Sequence, residues 1–154
     1  MTTITSTGAL RSWLAATLTV CAVTLAASAG FGWPAAVAAE EPVRLSFDKA
    51  SVSASVWTGR VDGDVDGELT TVLISADTSS AVWSVDFYWI VTADDPRLSF
   101  VARLAGTLDT DTGAVAMSGR VVDGYRVGAL VEESGQLYDG ERSAFRGTIH
   151  IQGS

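Results

Sequence analysis

Apolar and polar positions alternate along nearly all of the chain after residue 40, and the cleanest stretch runs from Leu98 to Val121. Side chains on a strand point alternately to opposite faces. On the first half, Leu98, Phe100, Ala102, Leu104, Gly106 and Leu108 form one face, with Ser99, Arg103 and Thr107 on the other. On the second half Val115, Met117, Gly119 and Val121 are apolar or small, and Ser118 and Arg120 share the opposite face. Between them lies Asp109-Thr110-Asp111-Thr112-Gly113, a run of turn-formers. The pattern predicts a hairpin with a four-residue loop, Thr110 to Gly113, in which Leu108 faces Val115 and Leu104 faces Gly119.

The same alternation predicts strands at Val43–Phe47, at Trp57–Val61 from a start near Ser53, and at Leu69–Ala76. It predicts another at Ala81–Thr92, where Trp83, Val85, Phe87, Trp89 and Val91 share a face. Val122-Asp123-Gly124 reads as a three-residue turn opposing Gly119 to Val127, so that odd-numbered Tyr125, Val127, Ala129 and Val131 face inward. Phe145, Gly147, Ile149 and Ile151 alternate with polar residues in the last strand. No amphipathic helix is indicated. About eight short antiparallel strands with tight connections make a single all-β domain. Hairpin following hairpin favours an up-and-down β-barrel, with a β-sandwich as runner-up.

The first 39 residues have a different character. Arg11 is their only charge, Trp13 to Ala29 is apolar, and Val37-Ala38-Ala39 offers small residues at the spacing a signal peptidase reads. Residues 1–39 are therefore expected to be a secretory signal peptide cleaved near Ala39, and residues 40–154 the barrel domain. Ala27-Ser28-Ala29 is an earlier alternative site. An uncleaved membrane anchor is the other reading, since the apolar run of roughly 17 residues is at the short limit for a span. Cys21, the sole cysteine, lies in this segment, so the mature chain is cysteine-free and folds without a disulfide.

Residues 40–154 hold all 18 acidic residues and nine of the ten basic ones, a formal charge of −9. That balance argues against nucleic acid and anionic membrane surfaces as partners. Nine arginines against the single Lys49, with abundant Ala and Val, suggest a GC-rich bacterial source. The expected setting is secreted or within the cell envelope.

Candidate chemistry is sparse. Asp62, Asp64 and Asp66 before Gly67 match the first half of a calcium-binding loop, but its twelfth position is Leu73 rather than Glu. Calcium is thus a candidate cofactor, against the plainer reading of a solvated Asp-Gly turn. If Tyr125 to Leu137 is one unbroken strand, parity directs Glu133 inward. A buried carboxylate needs a partner or a water-filled cavity, so Glu133 is a candidate ligand-binding residue, set against a bulge that frees it to solvent. Tyr125 and Tyr88 are candidates to accompany it. His150 is the only histidine and points outward by parity. With no cysteine beside it and no Gly-x-Ser-x-Gly elbow, no catalytic constellation can be placed.

Size, export signal and strand count resemble those of small secreted ligand-binding barrels such as the lipocalin-like and dirigent-like folds. The lipocalin Gly-x-Trp mark is absent: Trp57-Thr58-Gly59 runs in the opposite order. The leading expectation is a non-enzymatic barrel that binds a small apolar ligand or an envelope or extracellular protein. The alternatives are a small barrel enzyme of cyclase or isomerase type with an interior carboxylate, and a purely structural or interaction domain.

Overall fold

The computed structural model describes residues 40–153; the expected signal peptide lies outside them. Eight strands form a closed barrel in sequence order: β1 (Val43–Ser53), β2 (Val56–Gly63), β3 (Gly67–Asp77), β4 (Val82–Ala93), β5 (Phe100–Asp109), β6 (Ala114–Gly124), β7 (Leu130–Asp139) and β8 (Ala144–Ile151). Every neighbouring pair is antiparallel, and β8 closes on β1 with Leu45 opposite Ile149. The barrel is up-and-down, with one 3-10 turn at Pro96–Leu98 between β4 and β5.

The β5–β6 hairpin has the expected register, Leu108 opposite Val115 and Leu104 opposite Gly119. Asp109 builds its loop: its Oδ1 accepts from the backbone N–H groups of Asp111 and Thr112, each at 2.9 Å. Gly113 takes φ +75°, a left-handed conformation that glycine adopts without steric cost.

Several boundaries differ from the pattern: β1 runs beyond Phe47 to Ser53, and β5 begins at Phe100 because Leu98 is taken into the 3-10 turn. Strand β2 starts at Val56, because Ser53 already belongs to the hairpin and pairs with Val56. The β6–β7 connection is longer than the three-residue turn: β6 runs on to Gly124, Tyr125 to Ala129 make the turn, and Gly119 faces Val131 instead of Val127. Tyr125 to Leu137 is therefore not one strand. The register is offset by four residues, an even number, so Val131 and Glu133 still point inward, whereas Val127, expected inward, is exposed in the turn.

Register shifts fall at Val52, Ile74, Val122 and Tyr138. All four side chains are exposed, which accounts for several of the large apolar groups on the surface. An extra residue in one strand reverses the facing of the residues beyond it. Past Ile74 it is therefore Ala76, an even-numbered residue, that lies opposite inward-facing Val85.

The interior is packed differently at its two ends. The end carrying the β2–β3 and β6–β7 turns is solid, filled by Leu45, Val61, Val91, Val121, Val131 and Ile151 and plugged by Val65 and Ala129 from the turns. Phe47 meets Trp89 edge-on above this layer, with ring centroids 5.0 Å apart. Gly135 and Gly147, paired across β7 and β8, leave the space that the Phe47 ring occupies. The outer face carries Arg44, Asp48, Glu68 and Arg103, so the barrel is apolar within and polar without, the inverse of a membrane-spanning barrel.

A Cβ at Gly147 would strike the Ser134 carbonyl oxygen and come within 2.9 Å of the Phe47 ring, whereas one at Gly140 meets nothing within 4 Å. Gly147→Ala is expected to lower the unfolding free energy by about 1–3 kcal/mol, and Gly140→Ala to change it by less than about 0.5 kcal/mol, in urea titrations.

Candidate functional site

Toward the end carrying the β1–β2, β3–β4, β5–β6 and β7–β8 turns, the barrel is hollow. The cavity has a volume of about 270 Å³, and its walls include Trp57, Trp83, Val85, Leu108, Val115 and Phe145. Trp57, Trp83 and Leu108 are only part-buried, unlike the residues that fill the solid end.

Two charged groups stand on the cavity floor. Glu133 of β7 is 3% exposed and Lys49 of β1 is 5% exposed. Strand β8 separates them, and the lysine stem spans it, so that Lys49 Nζ donates to Glu133 Oε1 at 3.2 Å. The ammonium also lies over three aromatic faces, 4.1 Å from the Trp89 ring centroid, 4.9 Å from Phe47 and 5.8 Å from Phe87. Such contacts offset part of the cost of removing a cation from water, about 0.5–2 kcal/mol each.

The offset is incomplete. Burial pushes the Glu133 carboxyl above its ordinary value, against the pull of the Lys49 charge. Burial likewise draws the Lys49 ammonium below its ordinary value, against the carboxylate. Both shifts favour the neutral forms, so the proton between the two groups is held less firmly on nitrogen than in water. The Trp89 indole N–H also favours the carboxylate, but lies outside hydrogen-bonding geometry. Trp89 Nε1, Glu133 Oε2 and the buried Thr71 hydroxyl consequently lack a protein partner. Buried polar atoms are nearly always satisfied; of these three residues only Glu133 lines the cavity.

The other sequence candidates lie elsewhere. Tyr88 is 39% exposed on the outer face of β4, across from Arg103. Tyr125 sits in the β6–β7 turn at the solid end, its hydroxyl accepting from Arg126 Nε at 3.2 Å. Neither lines the cavity. Asp64 and Asp66 each engage a backbone donor: Asp64 Oδ2 accepts from the N–H of Arg44 on β1 at 2.8 Å and Asp66 Oδ1 from the Gly63 N–H at 2.9 Å. Asp62 is exposed on β2. Among the described residues no group of three or more His, Cys, Asp or Glu side chains is placed to hold a metal ion. The calcium expectation gains no support from this geometry, in which Asp64 and Asp66 each hold a backbone N–H. His150 faces outward, opposite Glu132.

The residue the pattern missed is Lys49. Its signal was present: Val43, Leu45 and Phe47 face inward, and two further residues along the same strand is Lys49. A lysine at an inward position breaks the apolar rule and marks the partner of Glu133. No protein-family model matches the chain, and no curated protein matches it.

Removing one member of a buried ion pair leaves the other uncompensated. Lys49→Met or Glu133→Gln is expected to cost about 3–5 kcal/mol at neutral pH, and Lys49→Met with Glu133→Leu to lie within about 2 kcal/mol of the parent or above it. Equal losses in all three variants would refute the coupling.

The same burial ties stability to pH. The folded state holds the Glu133 proton more tightly than the unfolded state does. Its contribution is therefore full below the ordinary value of 4.5 and is lost as pH rises through the raised folded value. In Lys49→Met the opposing cation is gone, so that variant's stability should fall as pH rises from about 4.5 to 7.5, more steeply than the parent's. Urea unfolding at the two pH values reads this directly.

Proposed function

We propose that the protein binds a small, largely apolar ligand carrying one polar group, inside the open half of the barrel. The observation that supports this reading is the conjunction of a hollow, aromatic-lined end with an unpartnered carboxylate oxygen, Glu133 Oε2, on its floor. A barrel built only for structure gains stability by filling its interior, as this one does at the other end. An apolar chamber with few convergent polar groups is the usual form of a small-molecule site.

Size limits the guest. A cavity of about 150 Å³ holds benzene, so one of 270 Å³ takes about ten non-hydrogen atoms. At ligand efficiencies between those of fragments and drugs, such a guest binds with Kd from about micromolar to sub-millimolar. A hydroxyl or similar neutral donor suits Glu133 Oε2, whereas a carboxylate guest would face the glutamate charge. We place this activity outside the cytoplasm, on the strength of the signal-like residues 1–39.

Calorimetric titration with 3-phenylpropanol and citronellol, one aromatic and one aliphatic alcohol of this size, tests the reading. Saturable binding of at least one is expected, weakened about tenfold or more in Leu108→Trp, which fills the chamber. Absence of saturable binding of both at millimolar concentration, or binding indifferent to Leu108→Trp, would overturn it.

A further inference from the structure

Lys49 is the only lysine in a chain whose other nine basic residues are arginines. The arginines among the described residues include exposed pairs such as Arg103 with Asp86 and Arg97 with Asp95, where a permanent charge serves. The one buried cation that contacts the cavity is instead the amine. Arginine is the usual choice for a purely structural buried ion pair, because its fork satisfies both carboxylate oxygens. Here the carboxylate receives one bond and keeps Oε2 free. An amine differs from a guanidinium in one chemical respect that matters in such a place: it can give up its proton and become a nucleophile.

We propose that Lys49 captures an aldehyde or ketone ligand covalently as an imine, with Glu133 moving the protons. This rests on the ligand-binding reading above and specifies the ligand as a carbonyl compound of about ten non-hydrogen atoms. Glu133, 3.2 Å away, takes one proton from the Lys49 ammonium and leaves a free amine at the chamber floor. The nitrogen lone pair adds to the carbonyl carbon, forming a C–N bond. A proton passes from nitrogen to the alkoxide oxygen, giving a neutral carbinolamine. Glu133 then returns its proton to the carbinolamine hydroxyl, the C–O bond breaks and water leaves. The product is a protonated imine on Lys49 beside the Glu133 carboxylate. Nitrogen carries one positive charge before and after, so the ion pair and the contacts with Trp89, Phe47 and Phe87 are retained. The aromatic walls keep bulk water from the C=N bond and disfavour its hydrolysis. Burial also lowers the proton affinity of Lys49, which raises the fraction of free amine at neutral pH.

The test is reductive trapping. The purified protein is incubated near neutral pH with 3-phenylpropanal or citronellal and sodium cyanoborohydride, followed by intact mass measurement and peptide mapping. One reduced adduct at Lys49 is expected, saturable in aldehyde and protected by the corresponding alcohol. 1-Pyrenecarboxaldehyde, too large for the chamber, should react about tenfold more slowly or less. Glu133→Gln should slow trapping about a hundredfold at saturating aldehyde, the usual scale for a lost acid–base group. Should that variant not fold, the parent experiment with alcohol protection decides alone. Alcohol binding without an adduct at Lys49 would overturn covalent capture and leave the ligand-binding reading standing. So would an adduct that the alcohol does not protect and the pyrene aldehyde forms equally fast, since that is ordinary amine reactivity. Failure of both alcohol binding and trapping would remove the two readings together.

Discussion

The structure depends on how one barrel accommodates two opposite charges in its interior. A buried lysine and a buried glutamate each lose hydration worth several kcal/mol, and their attraction recovers this only with close geometry and further polarisable neighbours. The barrel supplies both. Lys49 and Glu133 meet at 3.2 Å across β8, and the ammonium is ringed by Trp89, Phe47 and Phe87. Yet Oε2 and the Trp89 indole N–H remain unpartnered. Volume-matched apolar residues could fill such a floor without that cost.

The rest of the interior is arranged about that floor. Below it, aliphatic residues from most strands close the barrel; above it, Trp57, Trp83, Leu108 and Phe145 line the walls and leave space between them. Trp57 is anchored there, its Nε1 donating to the Ser143 carbonyl at 3.0 Å and its ring meeting Phe87 edge-on. Small residues matter as much as large ones. Gly135 and Gly147 admit the Phe47 ring, and that ring supports the lysine. Three of the four register shifts, at Val52, Ile74 and Tyr138, lie toward the open end. Bulges increase local bend and twist, in keeping with strands that part around a mouth.

Much of the fold was legible because a strand's two-residue period is a local property. The β5–β6 register came from parity and from Asp109–Gly113, and the structure has the same pairs. The β6–β7 register did not, because Val122 is a bulge residue and the turn lies further on, at Tyr125 to Ala129. Neither feature has a strong sequence mark; the Val122-Asp123-Gly124 triplet imitates a shorter turn. The inward facing of Glu133 was nevertheless obtained, since the expected and observed registers differ by an even number of residues. Tyr88 could have been set aside from its own parity, because it alternates with inward-facing Phe87 and Trp89.

The class of fold, the face of each strand up to its bulges and the presence of an out-of-place carboxylate were determined by the sequence alone. Each of these is settled by neighbours a few residues apart. Only the tertiary structure decided that Glu133 meets Lys49, 84 positions earlier, and that the two lie at the boundary between a packed half and a hollow half. Those outcomes depend on barrel closure, which sets β8 between β1 and β7, and on how far side chains from eight strands reach across a shared interior. No local pattern encodes an empty volume, because a cavity is what remains after every other side chain has been placed.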